Sequence, residues 1–130
     1  MKTLLESLKE KKAFYAGNGV TETEIEIAEN TLGLQFSKEY SQYLKAYGTA
    51  SVYGHEFTGL GDTSPRSVVD VTMESRGNNP KASTDLYVVE EAHIDGILIW
   101  QDAEGCVYQS LPTSKPKKIA DSLLNYIDKL

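Results

Sequence analysis

The side chains that could carry chemistry are few and scattered. His55 stands beside Glu56, and His93 is one residue away from Asp95. A structural zinc takes four protein ligands and a catalytic zinc usually three, so these are pairs rather than metal sets. Cys106, the one cysteine, sits beside Val107 with no basic neighbour in sequence to lower its pKa. It reads as a small buried hydrophobe rather than a nucleophile. The run Gly59-Leu-Gly-Asp-Thr-Ser has the glycines of a loop but lacks the lysine that a phosphate cradle places before serine or threonine. The 19 acidic residues could supply an acid–base pair, but such a pair is defined by separation in space and none stands out by spacing. No catalytic, cofactor-binding or metal-binding residue is assigned, and the expectation is a chain without a cofactor that is not an enzyme.

The chemistry that remains is non-covalent contact. The chain has eight tyrosines and one tryptophan, and tyrosine suits both core edges and interfaces. Tyr40, Tyr43 and Tyr47 recur at helical spacing and belong mostly to the core, as does Trp100 at the end of an apolar strand. Tyr53, Tyr87 and Tyr108 are placed where sheet edges could expose them, and exposed aromatic anchors dominate binding energy. Glu22, Glu24, Glu26 and Glu29 share one helix. Glu22 and Glu24 fall in its first turn, where negative charge stabilises the helix without any function. The candidate partner-binding residues are therefore Tyr53, Tyr87, Tyr108, Glu22 and Glu26.

The elements that must position them follow from capping and periodicity. Leu4 to about Phe14 forms a short amphipathic helix, broken by Gly17-Asn18-Gly19. Thr21 as N-cap with Glu24 three residues on predicts a capping box, and Val20 with Ile25 a hydrophobic staple. Gly33 ends that helix in a left-handed conformation. Ser37 caps the next helix, which runs to Tyr47 and stops at Gly48. Thr49 to Phe57 predicts an irregular strand. Gly59, Gly61, Asp62, Ser64 and Pro65 mark turns. Ser67 to Met73 reads either as a β-branched strand or as a capped helix. Gly77 to Pro80 is expected to be a loop. Leu86–Val89, Ile94–Trp100 and Cys106–Leu111 predict strands, with Asp102–Gly105 as the hairpin loop between the last two. Ile119 to Leu130 reads as a closing helix, with Ile119, Leu123, Tyr126, Ile127 and Leu130 on its apolar face, and this helix is expected to flank the sheet over 117–129. Helices, then a meander of strands, then a helix argue α+β with an antiparallel or mixed sheet flanked by helices.

Length and charge bound the rest. The 130 residues suit one domain, 1–130, with a core large enough to need no disulfide. The formal net charge of −6 argues against direct nucleic-acid binding, which wants a basic footprint. The lysine groups Lys9, Lys11, Lys12 and Lys115, Lys117, Lys118 read as solvated helix faces or ends. Charges interrupt any apolar run at the N-terminus, and no stretch approaches bilayer length. A cytoplasmic location without membrane contact is the expectation.

Ile25 to Gly48 carries a pattern: an alanine–glutamate helix (Ala28, Glu29), a leucine–glycine turn (Leu32, Gly33, Leu34), Phe36 before a small polar residue, and a helix ending in Tyr47-Gly48. This resembles the SUKH superfamily, the fold of the yeast Smi/Knr cell-wall-assembly regulators and of many bacterial toxin-immunity proteins. Tyr40 and Leu44 match as well, and Phe57-Thr-Gly-Leu60 resembles the strand and turn that follow. Ser37 stands where proline is frequent in the family. The resemblance implies that Ser67 to Arg76 is the family's central helix. It also implies an immunity protein that binds a cognate toxin, encoded by the adjacent gene and often a nuclease, and blocks it stoichiometrically without a cofactor. The competing classes are a regulatory or scaffolding interaction module and a small enzyme of unknown chemistry.

Overall fold

The structure, a computed structural model, describes residues 2–61, 66–92 and 94–130. The expected turn residues Asp62, Ser64 and Pro65, and the His93 half of the His93-x-Asp95 pair, lie outside the described residues.

Helix α1 covers Leu4–Glu10 and ends earlier than its apolar pattern predicts. The full reciprocal capping box forms here, between Thr3 and Glu6. Helix α2, Glu22–Leu32, starts at the predicted cap: the Thr21 hydroxyl accepts from the Glu24 N–H at 3.2 Å. The Glu24 carboxylate takes the Thr21 hydroxyl rather than the backbone N–H of a reciprocal box. Gly33 closes α2 at φ +69°, ψ +33°, the left-handed conformation its sequence position demands. Helix α3, Lys38–Tyr47, is capped by Ser37.

Residues 49–57 hold a hairpin, where one irregular strand was expected. Strand β1 is Tyr15–Ala16, β2 Ala50–Val52 and β3 His55–Glu56, paired antiparallel in that order. Tyr53 and Gly54 both take positive φ, +51° and +80°, as a two-residue turn between right-twisted strands requires. Ser67 resolves the ambiguous segment as a helix: it caps α4, Val68–Asn78, which runs through Gly77 and so shortens the predicted loop.

The second sheet is an antiparallel meander of β4 Tyr87–Glu91, β5 Leu98–Gln101, β6 Val107–Ser110 and β7 Lys117–Ala120. Ile94–Ile97, predicted as strand, lies outside β5 and includes a turn with positive φ at Asp95 and Gly96. The C-terminal segment differs from the expected 117–129 helix. Residues 117–120 pair with β6 as β7, and helix α5 is only Leu123–Asp128, capped by Ser122. Lys117 and Lys118 therefore belong to an edge strand. The two sheets are joined where Phe57 bridges Glu90 and the Thr58 N–H donates to the Val89 carbonyl at 2.9 Å.

The 87–120 sheet buries both faces. On one, Tyr87, Val89, Ile99 and Val107 join residues of α1, α2, α3 and α5 in the main core. On the other, Val88 and Trp100 pack with Val71 of α4, Ala82 and Leu86. The register slips between Val88 and Glu90, so Val89 is an extra, bulged residue. A bulge offsets the two-residue alternation by one. Glu90 thus lies opposite Ile99, on the main-core face, instead of following Val88 to the other side.

Candidate partner-binding surface

Tyr87 is not an exposed anchor. It is completely buried, in edge contact with Phe36 and tilted against Tyr40 at 5.1 Å between ring centroids. Its hydroxyl accepts from the Ser37 N–H at 2.9 Å and donates to Gln101 Oε1 at 2.7 Å. The strand was readable; that β4 is covered on both faces, so that Tyr87 is buried whichever way it points, was not. Burial pushes the Tyr87 phenol well above its usual pKa, against the opposing effect of its bonds with Ser37. Gln101 completes the network. Its Oε1 also accepts from the Ser37 hydroxyl, and its Nε2 donates to Glu39 at 2.7 Å and to the Gly105 carbonyl at 3.0 Å. All four hydrogen-bonding positions of a buried amide are filled. The same network accounts for serine at position 37, since proline would supply neither the N–H nor the hydroxyl.

Glu90 is the second interior polar centre. Its side chain is 2% exposed, and both oxygens are engaged: Oε2 with His55 Nδ1 at 2.6 Å, Oε1 with the Tyr126 hydroxyl at 2.5 Å. It ties β3, β4 and α5 together. Burial, reinforced by the adjacent Glu90 carboxylate, raises the Tyr126 pKa strongly. His55 is thus partnered by Glu90, not by its sequence neighbour Glu56. A buried carboxylate with both oxygens engaged by side chains of two other elements holds those elements together. Among the described residues no group of three or more His, Cys, Asp and Glu could hold a metal.

The other expected site residues are on or near the surface, in separate places. Tyr108 is half-buried, and its hydroxyl donates to Asp102 Oδ2 at 2.9 Å. It lines a groove of about 210 Å³ with Lys81, Asp85, Asp102 and Lys115, next to a larger one of about 360 Å³ that shares the two aspartates. Cys106 is half-buried instead of buried. Its thiol has a basic neighbour that is distant in sequence, Lys118 of β7. Glu22 and Glu26 are both exposed on α2, and Glu22 pairs with Lys45 at 3.1 Å. Tyr53 is 46% exposed at the hairpin tip. Near it in the fold is an aromatic that the sequence reading passed over: Tyr15, 71% exposed on β1. The signal for it was an aromatic between a finished helix and the Gly17–Gly19 break, readable only if α1 is ended at Glu10. Tyr15, Ser51 and Glu56 lie opposite one another across the three strands and line a groove of about 270 Å³.

A layered α+β arrangement, with two antiparallel sheets and five helices among the described residues, defines the class. The family model SUKH_5, described as SMI1-KNR4 cell-wall, matches residues 1–130, and the chain belongs to this family within the SUKH superfamily. The family is known in immunity proteins and in cell-wall-related domains, and it suggests protein–protein interaction. No curated protein matches the chain. No helix among the described residues is long and apolar enough to cross a membrane.

Proposed function

We propose that this chain, folded as one domain over 1–130, is an immunity protein. It binds a cognate bacterial toxin domain, a nuclease in the favoured reading, and neutralises it by stoichiometric occlusion in the cytoplasm. The observation that carries the proposal is membership of the SUKH superfamily along the whole sequence. The interior supports it: the buried polar centres at Gln101 and Glu90 have their partners within the fold, which leaves surface contact as the chemistry on offer. The net charge of −6 would raise the encounter rate with a basic nuclease domain, an effect that fades as salt screens it. Tyr53 and Tyr108 remain candidate anchors beside Glu22 and Glu26. The partner expected is the toxin encoded by the adjacent gene.

The test is toxin activity titrated with this protein, with an unrelated acidic protein as control. Inhibition should saturate at one equivalent and coincide with a complex on size-exclusion chromatography. Substoichiometric inactivation would point to an enzyme instead. A second reading, a regulatory or scaffolding module, is favoured by the cell-wall description of the matched family. Failure to bind any toxin encoded beside the gene would put that reading ahead.

A further inference from the structure

We propose that the outer face of the β1–β2–β3 sheet is a docking surface, and that its occupant is an arginine side chain projecting from a partner protein. The register carries the geometry. Tyr15 of β1 lies opposite Ser51 of β2, and Ser51 lies opposite Glu56 of β3. Residues directly opposite one another project from the same face of a sheet, so the three form a row. Adjacent strands are about 4.8 Å apart, which sets Tyr15 and Glu56 roughly 10 Å apart with the short Ser51 between them. That short side chain between two long ones opens the groove of about 270 Å³.

Two properties of the groove select a guanidinium. Glu56 is the charged residue of its lining, and among the described residues its carboxylate takes no hydrogen bond or ion pair. Tyr15 is 71% exposed, leaving its ring open to a planar cation, which aromatic faces attract. Arginine can stack on one wall while its fork of N–H donors meets a carboxylate on the other, whereas a lysine ammonium is a point charge that cannot do both in the same way. Ala50, Val52 and Phe57, on the opposite face, are buried in the main core, so the row is held on a packed base. This inference deepens the immunity reading and rests on it only for the identity of the protein that brings the arginine.

The test has two arms. In the first, the ¹⁵N-labelled protein is titrated with acetyl-arginine amide, acetyl-lysine amide and the neutral isostere acetyl-citrulline amide. Saturable amide shifts confined to Tyr15–Gly17, Thr49–Ser51 and Glu56 are expected with arginine, weaker with lysine and absent with citrulline. Glu56→Gln and Ser51→Trp should each abolish them; Ser51→Trp fills the groove without altering the ring or the charge. Equal effects of citrulline and arginine, shifts spread over Glu22, Glu26 and Asp85, or no shifts at all would overturn the proposal. In the second arm, the neighbouring toxin domain is titrated into wild type, Tyr15→Ala, Glu56→Gln and Ser51→Trp. Each variant should raise Kd about tenfold or more, as loss of an interface anchor does. Wild-type binding retained equally by all three variants would overturn the docking surface while leaving the immunity reading intact. Arginine binding in the groove with no affinity for the toxin would sink the immunity reading and leave the surface standing.

Discussion

Gln101 shows how much one interior side chain can organise. Its amide joins the start of α3 through Ser37, strand β4 through Tyr87, and the β5–β6 loop through Gly105. Gln101→Leu preserves most of the volume but strands several buried partners, each costing about 1–3 kcal/mol when left unsatisfied. The expected loss is on the order of 3 kcal/mol, after partial relaxation, read as a lower urea midpoint with unchanged slope. A variant at wild-type stability would mean that water or rearrangement replaces the network. At this scale the sequence is half legible. Ser37 announces itself as a cap because capping is local, and the Ser37 Oγ to Tyr40 N–H bond forms as expected. That its own N–H meets a tyrosine fifty residues away depends on packing that no spacing encodes.

Elements were legible where their signals are local and lost where pairing decides. Helices α2 and α3 stand where capping and glycine place them. The sequence extends a helix over strand β7 because Ile119, Leu123, Tyr126 and Ile127 keep a helical period. Its pairing with β6 is a non-local gain, and Ser122 was the cap that could have betrayed the boundary. Likewise the Val89 bulge decides which face Glu90 takes, and bulges have no fixed sequence mark. Two glycines give a test at this scale. At Gly33 an added Cβ meets nothing within 4 Å, so substitution strains only the φ of +69°. At Gly59 an added Cβ would lie 1.9 Å from the Gly48 carbonyl oxygen, where the chain leaves α3. Gly33→Ala should therefore cost about 1 kcal/mol, the left-handed penalty. Gly59→Ala should cost about 3 kcal/mol, the upper range for overpacking. Thermal melts giving the reverse order would contradict the close approach of these two segments.

For the molecule as a whole, the order of helices and strands forecast the α+β class, and the Ile25–Gly48 pattern forecast the family. The binding face was not forecast, because Tyr15 lies far in sequence from the hairpin that carries Ser51 and Glu56, and strand pairing alone brings the three into one row. The first and last helices meet through Asp128, which accepts from the Ser7 hydroxyl and pairs with Lys11 at 3.2 Å. The Ser7 bond first, then Lys11, holds the Asp128 pKa below its ordinary value. A carboxyl depressed in the folded state adds stability above the unfolded pKa, about 3.9, and loses it as pH falls through the lower folded value. Asp128→Asn should thus be less stable than wild type at neutral pH, by less than about 1 kcal/mol because the pair is partly solvated. The two should begin to converge in acid melts below about pH 4 and meet below the depressed folded pKa. A difference that persists in acid would assign the effect to packing instead of charge.

The short α5 has a consequence in time. Helices of six residues are not stable alone, and this one begins on a borrowed group: the Leu123 and Leu124 N–H groups donate to the Glu39 carboxylate of α3. Its lifetime in the closed position is then set by contacts outside it, namely that carboxylate, the Tyr126–Glu90 bond, the Asp128 pair and the burial of Leu123 and Ile127, not by its own turns. Hydrogen exchange should show amides 123–128 opening well before those of β4–β6, through local rather than global unfolding. Glu39→Gln should speed exchange at 123–128 while leaving the Val88, Trp100 and Val107 amides at the pace of the whole fold.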